Sequence, residues 1–172
     1  PLTKAYGIKN IPRPDVLVYN TNQCKDVMHW FEFYAKEFKI PSVGIHSPRH
    51  LNDVEKYHVA DVVGEFKKII EVLEPIAGKK MDYNHLSEVV LLTKQATDLW
   101  EEVLNTAQNR PSPLSFFDGT IHMGPIVVLR GTLQARQYYE HLLQEMKKKV
   151  TQGGAAVPGE KLRVYWEGMP VW

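Results

Sequence analysis

The chain has 172 residues, 44% hydrophobic and 24% charged, so it is too apolar for a disordered segment and long enough for one globular domain. Its 21 Lys and Arg against 20 Asp and Glu give a net charge of +1, which excludes an overall field that would attract nucleic acid or an anionic membrane. A single cysteine excludes an internal disulfide, and no charged leader or apolar run near about 20 residues occurs, so we expect a cytoplasmic protein with no membrane and no nucleic-acid partner.

A strand, a helix and a second strand are predicted over residues 12–48. The valine-rich run at 15–19 follows turn-forming prolines and is typical of a buried parallel strand. Apolar side chains then recur at helical spacing over residues 26–38, and residues 40–46 form the next strand. The order predicts a βαβ unit, whose crossover is right-handed in nearly every known case.

Two long helices are predicted next, over residues 52–77 and from about 83 to 107. The first has Asn52 or Asp53 as its N-cap and is closed by Gly78. The second runs to the break at residues 110–113 (RPSP). Two such helices in succession predict a helical hairpin beside the sheet, over residues 52–108.

The last part, residues 110–172, is predicted as loop, helix and strand. A passage rich in Gly and Pro leads to a helix that starts at Pro125 or shortly after and runs to Thr151. Residues 161–167 (KLRVYWE) are a third strand candidate. The chain opens on Pro1 and stops at Trp172 after an apolar stretch. We therefore expect residues 1–172 to be one α/β segment of a longer subunit.

The one cysteine, Cys24, follows the first predicted strand, at or just before a helix N-terminus. In open α/β sheets, ligands bind at this edge, outside the carboxyl ends of the strands. The N–H groups at the helix start favour a thiolate, which can attack carbon, exchange disulfides or bind metal. The alternative is a small buried apolar residue, the usual state of a lone cysteine. The residues alone leave both interpretations open.

Motifs for other chemistries are absent from the sequence. None of the seven histidines falls in a recognisable nucleophile motif, so Cys–His catalysis has no support. A self-contained zinc or cluster site needs several Cys or His at ligand spacing, and the chain has no such pattern. Nucleotide, phosphate-loop, zincin and serine-hydrolase signatures do not occur. If Cys24 binds metal, the other ligands lie outside this segment.

Ordered stretches along nearly the whole chain carry a family resemblance. They are 12–18 (PRPDVLV), 22–24 (NQC), 30–32 (WFE), 40–41 (IP), 47–48 (SP), 110–113 (RPSP), 129–132 (LRGT), 138–139 (YY), 162–163 (LR) and 166–172 (WEGMPVW). This set resembles the 2-hydroxyacyl-CoA dehydratase and benzoyl-CoA reductase family, of the 2-hydroxyglutaryl-CoA dehydratase D-component type. The chain departs from the relatives at the exit of the second strand. The relatives have Asp before Pro there, whereas this chain has His46 and Ser47 before Pro48.

The resemblance implies a Rossmann-like parallel sheet with long helical insertions, in one of two related subunits that each commonly hold a 4Fe-4S cluster. By position, Cys24 corresponds to one metal ligand, and Asn22 and Gln23 are the cofactor-binding neighbours that tune the cluster. The remaining ligands are expected outside this segment. The chain is thus identified as part of an iron–sulfur enzyme subunit, inactive by itself.

The resemblance also implies the reaction and its partners. An ATP-dependent iron–sulfur activator protein supplies one low-potential electron, which converts the thioester carbonyl of an acyl-CoA substrate to a ketyl radical anion. The dehydratases then expel a hydroxyl group, whereas the benzoyl-CoA reductases reduce the aromatic ring. The alternative function is non-enzymatic, a Rossmann-like binding or subunit-assembly module with a structural cysteine.

Overall fold

The computed structural model describes residues 12–22, 24–48 and 53–164, in two compact units that divide between Met81 and Asp82. The elements in chain order are β1 (Leu17–Asn20), α1 (Lys25–Phe38), β2 (Ser42–Ile45), α2 (Lys56–Ala77), α3 (Tyr83–Asn105), a 3-10 turn (Thr106–Gln108), α4 (Phe116–His122), α5 (Gly124–Val128) and α6 (Leu133–Thr151). Parallel strands with long helices confirm the predicted α/β class. Within the described ranges, no helix combines the length and the apolarity needed to cross a membrane.

The first unit is built on the predicted βαβ arrangement. β1 and β2 pair in parallel, with Leu17 opposite Ser42 and Asn20 opposite Ile45. The pairing continues past the end of β1, because the Thr21 N–H donates to the Ile45 carbonyl at 2.9 Å. The carboxyl ends of both strands therefore lie side by side at one edge of the sheet.

Helix α1 connects the two strands and packs on them. Its Ala35 is buried, and the ring of Phe31 lies against that of Tyr19 with 5.9 Å between the ring centroids. The helix ends at Lys39, whose φ of 53° is in the left-handed region. This residue turns the chain back toward β2, so that both strands run in the same direction.

Helix α2 begins later than the sequence predicts. Its N-cap is Glu55, whose N–H donates to Nδ1 of His58 at 3.0 Å. Asp53 as the N-cap is wrong, because the Glu55–His58 contact satisfies the helix start and Asp53 lies outside the first turn. The other proposed cap, Asn52, lies outside the described residues. The predicted end at Gly78 is confirmed by its φ of 64°.

The core of the second unit forms where α3 and α6 pack together. Tyr139 of α6 is fully buried, and its hydroxyl donates to the His122 carbonyl at 2.7 Å and accepts from the Ile126 N–H at 2.9 Å. Burial raises the pKa of Tyr139, which keeps its phenol protonated and able to donate. The buried core residues are Ala96, Val103, Leu114, Ile126, Ala135, Tyr139, Leu142 and Leu143.

The single helix predicted from Pro125 to Thr151 is wrong. The structure has α5 and α6 instead, separated by a turn in which Gly131 adopts a φ of 79°. Thr132 then caps α6, since its hydroxyl accepts from the Ala135 N–H at 3.2 Å. A Cβ at Gly131 would lie 2.5 Å from Cγ1 of Val89, so the turn needs glycine for its space as well as its φ.

The third strand candidate is not a strand in its described part. Residues 161–164 have no regular secondary structure, and 165–167 lie outside the described residues. The Arg163 guanidinium donates to the carbonyls of Ala107 and Asn109, and the Glu160 carboxylate accepts from the Ser112 N–H at 2.7 Å. Side chains rather than strand pairing therefore hold this segment to the turn after α3.

Two predictions of domain organisation remain predictions. The boundary at Met81 and Asp82 lies between α2 and α3, which the sequence paired as a helical hairpin. The two helices are accordingly described in separate units. The proposal that the whole chain is one segment of a longer subunit is likewise untested.

Replacing Gly44 by alanine will destabilise the first unit. A Cβ at Gly44 would lie 2.7 Å from Cγ2 of Thr21 and 3.1 Å from Cε2 of Tyr19. Relief of these contacts requires strand or side-chain shifts, so we expect the free energy of unfolding to fall by about 1–3 kcal/mol. Denaturant unfolding followed by circular dichroism measures the change.

Gly64→Ala is the matched control, because Gly64 lies inside α2 with nothing within 4 Å of an added Cβ. This variant should gain about 0.5–1 kcal/mol through lower chain entropy in the unfolded state. Equal effects of the two substitutions would contradict the close packing at Gly44.

Removing the Tyr139 hydroxyl will destabilise the second unit. Tyr139→Phe leaves the buried Ile126 N–H and the His122 carbonyl without their partner. We expect a loss of about 1–3 kcal/mol in the free energy of unfolding. Tyr138→Phe is the control, since Tyr138 is exposed and its hydroxyl only meets Nδ1 of His122 at 2.6 Å. A control loss as large as that of Tyr139→Phe would refute the role of the buried hydroxyl.

Candidate functional site

The carboxyl edge of the sheet brings together polar side chains from the ends of both strands. Oγ1 of Thr21, after β1, lies 3.2 Å from the Ile45 carbonyl and 2.9 Å from Nδ1 of His46, after β2. A threonine hydroxyl that donates to the carbonyl can accept from an Nδ1–H tautomer of the imidazole. These contacts fasten the two strand ends to each other by side chains as well as backbone.

Helix α2 also contributes to this edge through Glu65. Its carboxylate accepts a hydrogen bond from the backbone N–H of His46. The bond satisfies a donor at the end of β2 and holds that strand end against α2. The edge is therefore fixed by three elements, β1, β2 and α2.

Cys24 is the N-cap of α1 and is exposed. Its carbonyl accepts from the N–H groups of Val27 and Met28 at 3.1 and 3.4 Å, so the backbone is held in the first turn of the helix. Within the described part of the chain, its thiol makes no capping hydrogen bond. Since the residue is exposed in the described part of the chain, the alternative of a small buried apolar cysteine is wrong.

Asn22 lies two residues before Cys24 and has an unsatisfied donor. Its backbone N–H donates to Oδ1 of Asn20 at 2.8 Å, which closes a local turn after β1. Its side-chain Nδ2 is shielded from solvent and has no hydrogen-bond partner among the described residues. Gln23, the other predicted neighbour, lies outside them. Because a buried N–H without a partner is costly, Nδ2 is suited to an acceptor that these residues do not supply.

The residues present fit a part of an iron–sulfur site. A 4Fe-4S cluster is held by several cysteine thiolates, and this chain has one cysteine. Over residues 12–22, 24–48 and 53–164, no group of three or more His, Cys, Asp or Glu is placed to hold a metal ion. An exposed cysteine two residues after an unsatisfied buried donor fits the role of one ligand, with the rest of the ligand set supplied from elsewhere.

The predicted position of Cys24, after the first strand and at the start of α1, is confirmed, whereas its role stays a prediction and two residues of the edge were missed. Thr21 carried a signal, since it is among the first polar residues after the apolar strand. Glu65 carried none, because it lies 19 residues from His46 within an ordinary helical pattern. His46 stands out in the sequence only as a departure from the family pattern.

Comparison with known proteins gives a match over nearly the entire chain. Residues 2–172 match the family model described as 2-hydroxyglutaryl-CoA dehydratase, D-component. The (R)-phenyllactyl-CoA dehydratase alpha subunit of Clostridium sporogenes is 33% identical over 164 residues, which are 94% of this chain and 40% of that protein.

Two further relatives are named for different activities. The lactoyl-CoA dehydratase subunit alpha of Anaerotignum propionicum is 31% identical, over 95% of this chain and 39% of that protein. A benzoyl-CoA reductase subunit of Thauera aromatica is 33% identical, over 95% of this chain and 40% of its own length. The chain therefore spans about 40% of the length of the curated relatives it matches.

The exposure of Cys24 predicts that iodoacetamide labels it in the folded protein prepared without a bound cluster. Because the thiol is exposed and nothing in the described residues covers it, one label per chain should be added without denaturant. Intact-mass and peptide mass spectrometry measure the stoichiometry and the site. The Cys24→Ser variant is the unlabelled control. Labelling that occurs only after denaturation would contradict the exposed position.

Proposed function

Because the chain belongs to the 2-hydroxyglutaryl-CoA dehydratase D-component family, we propose that it is part of the iron–sulfur subunit of a 2-hydroxyacyl-CoA dehydratase or benzoyl-CoA reductase. The complete enzyme performs a one-electron reduction of a CoA thioester, of the ketyl radical type, that leads to hydroxyl elimination or ring reduction. The family match over residues 2–172 carries this proposal. One relative is named as a dehydratase and another as a reductase. This supports the shared chemistry and leaves the choice between hydroxyl elimination and ring reduction open.

Cys24 is the proposed metal ligand of this segment. This exposed residue lies at the N-terminus of α1, where metal brought by other parts of the protein can reach it. This position is also the sheet edge at which open α/β folds bind their ligands. A bound 4Fe-4S cluster supplies one-electron transfer, and the other ligands come from outside this chain.

Asn22 and Gln23 are the proposed cofactor-binding neighbours. The shielded Nδ2 of Asn22 supports this role, because it is an N–H donor close in sequence to the thiol and has no partner among the described residues. Donors of this kind adjust the reduction potential when they reach the ligand sulfurs. The Thr21–His46 contact keeps the strand ends in place, and so holds the turn that bears Asn22.

The proposed partners follow from the family. The relatives are named as single subunits of their enzymes, several of them as alpha subunits, which supports a related second subunit for this protein. We extend the proposal to an acyl-CoA substrate, to an ATP-dependent iron–sulfur activator protein and to a cytoplasmic location. The acyl group stays open, because no described residue identifies its pocket.

A second candidate function is subunit assembly without a cluster in this segment. Trp30 and Phe33 of α1 favour it, since these aromatic side chains are 63% and 60% exposed on one side of the helix. Exposed aromatic residues are enriched at the centres of protein interfaces. An assembly role makes Cys24 dispensable for iron binding, which distinguishes it from the first proposal.

Reconstitution of the complete subunit with iron and sulfide under anaerobic conditions separates the two. Cys24→Ala removes a ligand, and we expect iron affinity to fall by more than about tenfold. Loss of a group that only hydrogen-bonds to a metal ligand already lowers metal affinity by about that factor. Bound iron, visible absorbance and electron paramagnetic resonance measure the effect.

Lys25→Ala is the matched control, because Lys25 is the exposed neighbour of Cys24 at the same helix start. Its iron content and spectra should equal those of the wild type. If Cys24→Ala also gives wild-type spectra and iron content, the ligand assignment fails and the result supports the assembly function.

A further inference from the structure

The imidazole of His46 is held through one of its two ring nitrogens. Nδ1 lies 2.9 Å from Oγ1 of Thr21, and the backbone N–H of the same histidine donates to the Glu65 carboxylate. The residue is exposed, and no hydrogen bond reaches its Nε2 from the residues that the structure describes. Backbone and ring are thus fixed on one side, which leaves Nε2 available for chemistry.

The Thr21 hydroxyl selects the tautomer of this ring. Its oxygen lies 3.2 Å from the Ile45 carbonyl, so its single proton is donated there and the oxygen accepts from Nδ1–H. The reverse arrangement would leave the hydroxyl oxygen 3.2 Å from a carbonyl oxygen with no proton between them. Neutral His46 therefore carries its proton on Nδ1 and a lone pair on Nε2.

The same hydrogen bond serves both charge states of His46. An imidazolium has a proton on each nitrogen, and this neutral imidazole keeps the one on Nδ1, so Thr21 accepts from Nδ1 in both states. Nε2 can then lose or gain a proton without any movement of the ring. Histidine is the side chain used most often for general acid–base catalysis, which requires a group already in position for the transfer.

His46 also lies where the proposed reaction needs a proton. It follows β2 at the carboxyl edge of the sheet, the edge at which open α/β folds bind their ligands. Cys24 follows β1 at the start of α1. Both reactions of the proposed function use a proton at the substrate, because hydroxyl elimination turns expelled hydroxide into water and ring reduction adds hydrogen to carbon.

We infer that His46 is the general acid of the site and that Thr21 is its positioning residue, an inference that rests on the proposed function. In hydroxyl elimination, the C–O bond of the one-electron-reduced thioester breaks and its electron pair leaves with the oxygen. The proton moves from Nε2 of the imidazolium to that oxygen, so that water departs and neutral His46 remains. In ring reduction the same proton goes to a carbon of the reduced ring. The electron comes from the iron–sulfur activator protein in both cases, and the exposed imidazole regains its proton from solvent.

His46→Asn separates proton transfer from a merely structural role. The asparagine amide can donate to Thr21 as Nδ1–H does, but it carries no proton that it can transfer. In the complete enzyme, with (R)-phenyllactyl-CoA, lactoyl-CoA and benzoyl-CoA as probes, kcat should fall by about a hundredfold or more while KM and iron content stay at the wild-type level. His85→Asn is the matched control with wild-type kcat, because His85 is an exposed histidine of the second unit whose Nδ1 lies 3.5 Å from Oε2 of Glu88.

Two substitutions of Thr21 test the positioning. Thr21→Val keeps the shape of the side chain and removes the acceptor, so the Nδ1–H tautomer should lose its preference and kcat should fall by about tenfold or more. Thr21→Ser keeps the hydroxyl and should preserve both. Nitrogen-15 magnetic resonance of the histidine-labelled complete subunit, prepared without a cluster, reads the tautomer, and the His46→Asn spectrum assigns the signal.

The outcomes separate this inference from the proposed function. Wild-type kcat in His46→Asn reduces the residue to a link between strand ends, and an Nε2–H tautomer in the wild-type protein removes the role of Thr21. Loss of iron in His46→Asn refutes the acid assignment, since the residue then acts through the cluster. Each of these results leaves the family chemistry standing. Absence of turnover by the wild-type enzyme with all three thioesters instead defeats the proposed function, and the inference with it.

Discussion

The parallel pairing of β1 with β2 is the constraint on which the candidate site depends. Because parallel strands end at the same edge, the residues that follow each of them are brought together there. The Thr21 N–H extends the pairing to Ile45, and the Thr21 side chain then reaches His46. The turn at Thr21 and Asn22 starts from these fixed strand ends. The position of the exposed thiol is thus a consequence of backbone pairing rather than of a dedicated pocket.

The second unit is held together by helix packing rather than by strand pairing. It has no strand among its described residues, and α3 and α6 bury a small core around Tyr139. The Tyr139 hydroxyl joins the end of α4 to the start of α5 through two hydrogen bonds. A single buried phenol therefore fixes two short helices that could not be stable alone. This unit fits the long helical insertions that the family resemblance implies.

The sequence predicted those features that depend on local chemistry, and missed those that depend on distant partners. Short apolar runs bounded by turn residues, with apolar side chains at helical spacing between them, were sufficient for β1, α1 and β2, and therefore for the place of Cys24. The break before Thr132 was missed because the helical apolar pattern resumes after it, although Gly131 and Thr132 are themselves stop and start signals. The bonds from His46 to Thr21 and Glu65 join residues 25 and 19 positions apart, and nothing in a single sequence reveals them.

The central claim is that Cys24 gives one thiolate to an iron–sulfur cluster whose other ligands lie outside this chain. Anomalous diffraction at the iron absorption edge, from anaerobic crystals of the complete protein, tests it most directly. The account predicts an iron peak within bonding distance of the Cys24 sulfur, at the carboxyl edge of the sheet. Iron bound elsewhere, with the Cys24 sulfur unligated, would contradict it.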